Sequence, residues 1–486
     1  MNASVAAPLV PITVAKGDGI GPEITESVLE ILHVAKAPIQ YDFIEVGQKL
    51  YEQGYTAGIA PETWDVIRRN AAFLKAPITT QLGKGGKSLN VTVRTMLNLF
   101  ANVRPSISYA PYVATQHPGI NLVIIRENEE DLYAGIEHQQ TREVTQVLKI
   151  ISRPGTERIV RYAFEYARAY GRRKVTCMTK NNIMKVTDGL FSRIFEEVAV
   201  QYPDIKAEHM IIDIGTAKLA AQPEQFDVIV TLNLYGDILS DVAAQIAGSV
   251  GLAGSANIGR GVAMFEAVHG SAPDIAGKGV ANPSGLLVAA TQMLVHVGLA
   301  PSAELITNAW LTTLEEGIHT ADIYRSGLSA HLVGTGGFTS AVIERLGERP
   351  QVLKAVQYKT NRIQVQTSPT PPSTKRLVGV DVFLDWDKAG RDPNELGAML
   401  ERDLPPAWRL SMITNRSVKV YPNGLPETFC SDHWRSRILP VGAEEMDYAA
   451  VLDLLRDLHT AGFEIIKTEN LYTFDGERGY SLGQGE

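Results

Sequence analysis

Short apolar runs alternate with longer amphipathic stretches from the start of the chain to about residue 350. The run at 9–16 predicts a buried strand. Pro22, which follows a glycine-containing loop, is typical of the first position of a helix. Further apolar runs at 121–126, 174–178 and 226–232 predict strands that are separated by helices. This order predicts an α/β architecture with a largely parallel sheet.

The pattern changes in the last quarter of the chain. The stretch 367–374 is rich in Pro, Ser and Thr, which predicts a linker without regular structure. Apolar residues at every second position of 378–386 then predict a strand with one buried face. The next predicted elements are a helix at 394–404, strands at 409–414, 417–421 and 435–439, a helix from 447 closed by Gly462, and a strand at 464–468. We therefore predict a small α+β domain of ferredoxin-like type. Because it shows no catalytic constellation, we interpret it as an assembly or regulatory domain.

Composition and charge argue against several classes of protein. The 486 residues are 45% hydrophobic and 21% charged, which is typical of a soluble globular protein of about two to four domains. The net charge of −8 and the absence of a Lys/Arg block argue against a nucleic acid or an anionic membrane as partner. No apolar run reaches transmembrane length, and no basic region opens the chain as in a signal peptide. With two cysteines, which cannot form a disulfide framework, we expect a cytoplasmic protein that acts on a small molecule.

The glycine-rich loop after the first predicted strand does not predict a Rossmann site. Gly17, Gly19 and Gly21 depart from the G-x-G-x-x-G spacing, and Pro22 replaces a residue of that motif. No acidic residue ends a second strand in the expected context. We interpret the loop as a tight turn, and a nucleotide bound here would need a different geometry.

A second glycine-rich stretch leads into a candidate anion site. Ser88 stands where a helix would begin, after Gly83, Gly85 and Gly86, so its hydroxyl would lie beside free N–H groups. Asn90 and Arg94 are four residues apart and share a helix face. A hydroxyl, an amide and a guanidinium suit a carboxylate. A capping serine with a surface arginine is the alternative interpretation.

Two later arginines extend this site. Arg104 and Arg126 also lie near turns that carry polar motifs, and three arginines suit a polycarboxylate. Tyr133 follows Arg126 closely, and a phenol beside cations can donate or relay a proton, although a half-buried packing tyrosine is the alternative. Lys180 follows a predicted strand, where α/β enzymes place reactive groups, but lysines in such a polar stretch are usually only solvated.

A pair of acidic residues predicts a metal site. Asp237 and Asp241 are four residues apart after a strongly apolar strand, so both carboxylates face the same way near a helix N-terminus. Two hard oxygen ligands with room for water suit Mg²⁺ or Mn²⁺. Asp213, at the end of another predicted strand, could supply a third ligand.

Together these segments resemble the decarboxylating β-hydroxyacid dehydrogenases, the family of isocitrate, isopropylmalate, homoisocitrate and tartrate dehydrogenases. The resemblance covers about residues 10–348 and is most specific in Arg126–Gly135, Asn233–Asp241 and Glu266–Pro283. It implies an isocitrate/isopropylmalate dehydrogenase-like two-domain fold with a central mixed, mostly parallel sheet. The implied regions are a large cofactor-binding domain at 1–100 and 248–350, a small substrate and dimerisation domain at 101–247, a linker at 351–375 and the C-terminal domain at 376–486. That last domain is similar to one in a longer bacterial type of isocitrate dehydrogenase.

The resemblance also implies residue roles. It assigns substrate carboxylates to Arg94, Arg104 and Arg126, and the Ser88/Asn90 pair is similar to the branch that oxidises isocitrate in the tricarboxylic acid cycle. The implied metal ligands are Asp237 and Asp241, with Asp213 from a neighbouring subunit, and the implied acid/base pair is Tyr133 and Lys180, with Lys180 from the partner chain. These roles imply a homodimer with shared active sites, or a larger homo-oligomer built from it.

The stretch Glu266–Pro283 resembles the adenosine-binding loop of the family. The implied cofactor contacts are Thr80, Asn182, His269, Gly270, Ser271, Ala272, Asp274, Ile275 and Asn282. Asp274 could bond both ribose hydroxyls and would repel a 2′-phosphate, whereas NADP-dependent relatives are expected to carry Lys-Tyr in place of Asp274-Ile275. Arg325 lies where such relatives can carry a phosphate-binding arginine. Weighing one arginine against one carboxylate, we predict an NAD-dependent, Mg²⁺- or Mn²⁺-requiring isocitrate dehydrogenase. The alternatives are an NADP-dependent enzyme, homoisocitrate or isopropylmalate oxidation, and a non-catalytic regulatory subunit.

Overall fold

The computed structural model describes residues 8–79, 88–359, 363–442 and 445–483. The predicted cofactor residue Thr80 and the glycines at 83, 85 and 86 lie outside these ranges. Contacts divide the chain into two compact units. The first unit consists of Met1–Ala134, Ile150–Ile183 and Thr187–Ser368, and the second of Gly135–Lys149, Met184–Val186 and Pro369–Glu486.

The strands are numbered in chain order. They are β1 Val10–Ala15, β2 Ile39–Ile44, β3 Ala72–Lys75, β4 Ala101–Ile107, β5 Asn121–Glu127, β6 Glu137–Gln139, β7 Thr145–Val147, β8 Lys174–Thr179, β9 Lys206–Ile211, β10 Val228–Thr231, β11 Gly254–Ile258, β12 Ala263–Ala267, β13 Ile318–His319, β14 His331–Leu332, β15 Lys375–Asp385, β16 Trp408–Asn415, β17 Val418–Tyr421, β18 His433–Pro440, β19 Glu464–Phe474 and β20 Glu477–Arg478.

The helices follow the same convention. They are α1 Gly21–Val34, α2 Gln48–Glu52, α3 Thr63–Asn70, α4 Leu89–Met96, α5 Arg153–Ala169, α6 Thr187–Ala199, α7 Ile212–Ala221, α8 Asn233–Ala247, α9 Ser284–His296, α10 Ala300–Glu315, α11 Thr335–Glu344, α12 Pro393–Asp403 and α13 Tyr448–Thr460. Single 3-10 turns lie at Leu132–Ala134, Pro223–Gln225 and Val250–Leu252.

A large mixed sheet forms the centre of the first unit, in the order β2-β1-β3-β12-β11-β4-β5-β10-β8-β9. The pairings on both sides are parallel, whereas β11 pairs antiparallel with β12 and β4, and β4 antiparallel with β5. The predicted α/β fold with a mixed, mostly parallel sheet is confirmed. Apolar strands such as β10 are buried along their whole length because helices cover both faces of the sheet.

One edge of this sheet collects the candidate chemistry. Strands β5, β10, β8 and β9 are parallel neighbours, so their carboxyl ends share one edge. Arg126 lies near the end of β5, Lys180 follows β8, and Asp213 follows β9. Helix α8 begins directly after β10 and carries Asp237 and Asp241. The topology therefore brings residues that are far apart in sequence to one side of the unit.

The loop 17–21 is a tight turn that packs against two other backbones. Pro22 lies in the first turn of α1, as predicted. The N–H of Asp18 donates to Pro77, and the N–H of Ile20 donates to the carbonyl of Ser271 at 2.9 Å. Gly19 has a φ of 60°, and a Cβ there would lie 2.0 Å from that carbonyl oxygen. The glycines thus permit a close approach between chain segments.

The second unit contains a sheet in the order β17-β16-β18-β15-β19-β20. The inner order β16-β18-β15-β19, with α12 and α13 as the connecting helices, is that of a ferredoxin-like domain. The same unit includes the antiparallel hairpin β6–β7, which the sequence pattern did not predict. Arg391 donates to both carboxylate oxygens of Glu143 in this hairpin at 2.8 Å, and Thr141 donates to Asp432 at 2.5 Å. Among the helices of the described ranges, none is both long and apolar enough to cross a membrane.

Candidate functional site

Arg126 is the most buried of the three predicted arginines, with 0% of its surface exposed. Its Nε and Nη2 donate to the Oδ1 of Asn233 at 3.0 and 2.8 Å, and its Nη1 donates to the Oδ1 of Asp237. Gly236 makes this arrangement possible, because a Cβ there would lie 2.6 Å from the Cγ of Arg126. The side chain is therefore clamped against the first two turns of α8.

Arg104 approaches the same helix from β4. Its Nη1 donates to Ser240 at 2.6 Å and to the Oδ1 of Asp237 at 3.4 Å, and it lies 3.7 Å from the Oδ1 of Asp241. Within the described ranges the buried Nε of Arg104 has no hydrogen-bond partner. Arg104 thus has donor capacity left for a ligand.

Arg94 belongs to a buried network that the sequence analysis missed. Its Nη2 donates to the Oε1 of Glu266 at 3.1 Å, and the Nζ of Lys75 lies 2.8 Å from the Oε2 of the same carboxylate. The side chains of Arg94, Lys75 and Glu266 are 7%, 1% and 6% exposed. Burial opposes ionisation of Glu266, but Lys75 and Arg94 outweigh it and hold the pKa of this carboxyl well below its usual range. A lysine that ends an apolar strand, as Lys75 does, is the signal that could have revealed it.

Ser88 and Asn90 stand at the start of α4, next to Arg94 on the same helix. Ser88 is the N-cap residue, as predicted, but its side chain makes no capping hydrogen bond. The Oδ1 of Asn90 is buried and has no partner in the part of the chain that the structure describes. A buried polar atom without a partner is costly, so this position suits a polar ligand.

The electrostatics of the cluster favour an anion. Burial lowers the pKa of Arg126 to about 9, and the positive charges of Arg104 and Arg94 act in the same direction. Burial also lowers the pKa of Arg104. Burial opposes ionisation of Asp237, but Arg126 and Arg104 outweigh it, so the pKa of Asp237 is lowered. Arg104 and Arg126 share the carboxylate of Asp237, and Arg94 shares that of Glu266 with Lys75, so a ligand with several carboxylates would stabilise the three guanidinium groups further.

Tyr133 joins this cluster from the 3-10 turn that follows β5. Its hydroxyl donates to the Oδ2 of Asp237 at 2.6 Å, and the Cζ of Arg126 lies 4.8 Å from its ring centroid. Burial raises the pKa of Tyr133, and the hydrogen bond to Asp237 acts in the same direction, against the opposing effect of Arg126. The phenol is therefore protonated at neutral pH and placed to give up a proton beside the arginines.

Asp237 and Asp241 face the arginines from α8, one and two turns beyond the first turn of the helix. Asp213 lies in the first turn of α7 and forms an ion pair with Lys180. In the described part of the chain, no group of three or more His, Cys, Asp or Glu side chains could hold a metal ion. Asp237 and Asp241 supply two hard oxygen ligands, which fit Mg²⁺ or Mn²⁺, but one chain does not assemble Asp213 with them.

The predicted cofactor loop follows β12. Ser271 is buried, and its hydroxyl lies 2.9 Å from that of Thr79. The Nε2 of His269 is buried and has no hydrogen-bond partner among the described residues. It could hydrogen-bond to a polar group of a bound nucleotide. Asn282 is committed within the protein, because its Nδ2 donates to Asp322 and its Oδ1 accepts from the N–H of Ser284.

The other predicted cofactor residues lie nearer the surface. Asp274 and Gly270 are exposed, Ala272 and Ile275 are half-buried, and Asn182 is exposed in the turn after Lys180. Asp322 connects the loop that follows β13 to the cofactor loop, because its carboxylate accepts from Asn282. The same carboxylate accepts from Thr320 of its own loop at 2.6 Å.

Comparisons with known proteins follow the same division of the chain. Residues 11–342 match the family model described as isocitrate/isopropylmalate dehydrogenase, and residues 375–486 match the model described as bacterial isocitrate dehydrogenase, C-terminal domain. The chain is 52% identical to isocitrate dehydrogenase [NADP] of Rickettsia bellii, with 99% of this chain and 100% of the relative covered. It is 46% identical to isocitrate dehydrogenase [NADP] of Thermus thermophilus, with 98% and 96% covered. A crystal structure of a protein from Thermus thermophilus matches with a TM-score of 0.91 at 45% identity, over 98% of this chain and 96% of that one.

These relatives contradict the predicted cofactor. Proteins that match almost the whole chain at 52% and 46% identity carry NADP in their names, so the prediction of NAD dependence is wrong. The structure shows why the argument from Asp274 was weak. The residue is exposed, and solvent and salt screen the repulsion that an exposed carboxylate exerts on a phosphate.

Proposed function

The chain belongs to the isocitrate/isopropylmalate dehydrogenase family, and we propose that it oxidises and decarboxylates isocitrate to 2-oxoglutarate and CO₂, with NADP as the oxidant. The observation that carries the proposal is the convergence of Arg94, Arg104 and Arg126, all buried, on α8 and Glu266. Isocitrate has three carboxylates and a hydroxyl, which matches three guanidinium groups with a serine and an amide. We place this reaction in the tricarboxylic acid cycle and in the cytoplasm.

Substrate binding would use the donors that remain available. The buried Nε atoms of Arg94 and Arg104 have no partner within the described residues, and the hydroxyl of Ser88 makes no capping bond. With Asn90 beside them, these groups form the end of the site that would select a third carboxylate over an apolar group. An isopropyl group would offer no acceptor to the Nδ2 of Asn90 or to the hydroxyl of Ser88, whereas a carboxylate would, which favours isocitrate over isopropylmalate.

Asp237 and Asp241 would hold a divalent cation, and Tyr133 and Lys180 would move protons. A cation held by these two carboxylates would supply Lewis acidity toward a substrate oxygen, and NADP would supply the hydride acceptor. Lys180 would take the proton of the C2 hydroxyl in its neutral amine form, after the ammonium that pairs with Asp213 has released a proton to solvent. After CO₂ leaves C3, Tyr133 donates its phenolic proton to that carbon, which completes 2-oxoglutarate.

We propose that two chains share each site. Two observations support this: Asp213 pairs with Lys180, and the described residues of one chain do not group Asp213 with Asp237 and Asp241 around a metal position. The pair would serve the arginine cluster of a second copy. A homodimer with two equivalent sites follows from this exchange.

Mixing two inactive variants tests the shared site. Tyr133→Phe chains and Lys180→Met chains are each expected to be nearly inactive. After denaturation and joint refolding, half of the dimers would contain one of each, and one of their two sites would be intact. About a quarter of wild-type activity should return. If the mixture stays as inactive as its components, each chain completes its own site.

NADP use is supported by the position of Arg325. Asp322, three residues before it, accepts from Asn282 at 3.0 Å and so ties this loop to the cofactor loop. The guanidinium of Arg325 is exposed, and its Nη1 donates to the carbonyl of Tyr324. We propose that Arg325 binds the 2′-phosphate.

Parallel assays of isocitrate oxidation with NADP and NAD test the cofactor, with homoisocitrate and isopropylmalate as alternative substrates. We expect the highest kcat/KM with isocitrate and NADP. Arg325→Ala should lower kcat/KM for NADP at least about tenfold and leave that for NAD unchanged, because only NADP carries the phosphate. Arg349→Ala, which removes another exposed arginine, serves as control. An equal loss with both cofactors would exclude Arg325 from phosphate binding.

A further inference from the structure

Asp131 is a fully buried carboxylate that the proposed reaction does not use, and it lies two residues before Tyr133. Its Oδ2 accepts a hydrogen bond of 2.9 Å from the N–H of Leu234, which is in the first turn of α8. Leu232, the N-cap residue of that helix, has no side chain that can cap it. Asp131 therefore supplies the missing cap from another segment, and its negative charge lies where the helix dipole favours it.

The backbone around Asp131 is shaped for this contact. Asp131 has a φ of 67°, a conformation that glycine, asparagine and aspartate adopt more readily than other residues. Its N–H donates to the carbonyl of Ile150 at 2.8 Å, and its carbonyl accepts from Ala134, which closes the 3-10 turn that carries Tyr133. A residue anchored through both its backbone and its side chain at this point fixes the turn relative to α8.

A neighbouring contact joins the same two elements. The Nδ2 of Asn233, the first residue of α8, donates to the carbonyl of Glu130 at 3.3 Å, while its Oδ1 accepts from Arg126. The hydroxyl of Tyr133 reaches Asp237, on the next turn of α8, at 2.6 Å. The turn and the helix thus meet through Asp131 and Asn233 at one end and through Tyr133 at the other.

We propose that Asp131 is a positioning residue that holds the phenol of Tyr133 in register with the carboxylates of α8. This role rests on the proposed function, in which Tyr133 donates the final proton. Without the cap, the turn and the helix can shift relative to each other, and a displacement of about 1 Å at a proton donor can cost about 100-fold in rate.

Two substitutions separate the carboxylate from the backbone. Asp131→Gly permits the same positive φ and removes the acceptor, whereas Asp131→Asn also tolerates that φ and retains an acceptor oxygen. We expect Asp131→Gly to lower kcat at least about tenfold with a smaller change in the KM for isocitrate, and Asp131→Asn to recover most of the loss. Asp447→Gly, which removes a comparable cap from α13, is the matched control and should leave kcat unchanged.

The Tyr133→Phe background decides whether Asp131 acts through Tyr133. If it does, Asp131→Gly should cost nothing further in residual kcat once the phenol is gone. A full additional loss in that background, or a kcat within twofold of wild type for Asp131→Gly alone, would overturn the proposal. If Asp131→Gly does not fold, Asp131→Glu, which moves the carboxylate by one methylene, takes its place in the same cycle, with a loss of at least about threefold expected. Wild-type chain that does not oxidise isocitrate would instead refute the proposed function.

Discussion

The charge on Glu266 should be essential to the stability of the first unit. Glu266→Gln keeps the size of the side chain but leaves the ammonium of Lys75, 1% exposed, and the guanidinium of Arg94 without their shared carboxylate. Removing one partner of a buried ion pair costs about 3–5 kcal/mol, because the remaining charge stays buried. Since the carboxylate has two cationic partners, we expect the upper half of that range.

This loss can be converted to a melting temperature. The first unit contains about 350 residues, and an unfolding entropy of about 2.1 cal/mol/K per residue gives about 0.7 kcal/mol per degree. The transition of that unit should therefore fall by about 6 °C in differential scanning calorimetry of the full chain. Glu316→Gln, which removes the exposed partner of Arg345, is the control and should shift it by about 1 °C at most.

A second substitution checks the cause. Lys75→Met together with Glu266→Gln removes the ammonium along with the carboxylate, so it should recover at least half of the loss. If Glu266→Gln melts within 1 °C of the control, the ion pairs of Glu266 with Lys75 and Arg94 do not contribute measurably to the free energy of unfolding. If the double variant is no better than the single one, Lys75 is not the group left unpaired.

Substitutions at Glu127 and Gly236 test the pH dependence of stability and the position of Arg126. Burial raises the pKa of Glu127 from 4.5 to about 8, so the folded chain binds an extra proton between these values. The stability that this protonation contributes is complete below pH 4.5 and is lost as the pH rises through 8, by up to roughly 5 kcal/mol. Melting curves from pH 5 to 9 should therefore fall more steeply for wild type than for Glu127→Gln, and parallel curves would contradict the shift. Gly236→Ala places a Cβ against Arg126 and should lower kcat/KM for isocitrate at least about tenfold. Gly261→Ala, whose Cβ would lie in open space, is the control and should leave kcat/KM unchanged. Equal kcat/KM values for the two variants would mean that Arg126 can move without cost.

The sequence pattern predicts most of the fold because local periodicity reflects burial. The strand at 228–231 is entirely buried since both of its faces are covered, and Pro22 fixes the start of α1 through its own ring. The sequence did not predict the hairpin β6–β7, because its residues are mostly exposed and show no alternation of apolar and polar positions. Its contacts with Arg391 and Asp432 lie more than 240 residues along the chain, a separation at which no local pattern operates.

The candidate site also contains residues that the sequence predicts and residues that it does not. Residues with distinctive chemistry in a motif, such as Arg126 and Asp237, can be selected from sequence alone. Glu266 and Asn233 lie within recognised motifs, but the sequence predicted no role for them. Each pairs with an arginine more than 100 residues away, which no local pattern reveals. Cofactor choice failed for a related reason. The effect of Asp274 depends on its exposure, and exposure is a property of the folded chain.

Asp237 would couple the proposed substrate and metal sites. Its Oδ1 accepts from Arg126 and Arg104, and its Oδ2 accepts from Tyr133, so this carboxylate is a counter-ion of both arginines. A divalent cation at Asp237 would compete with those donors and would leave the two arginines short of negative charge. The carboxylates of the substrate can replace it, since they offer the arginines new acceptors. We therefore expect isocitrate to bind more tightly in the presence of Mg²⁺ than in its absence, and Mg²⁺ to bind more tightly with isocitrate, by the same factor. Isothermal titration of each ligand with and without the other measures both factors, and independent affinities would show that Asp237 serves the arginines and the cation without competition.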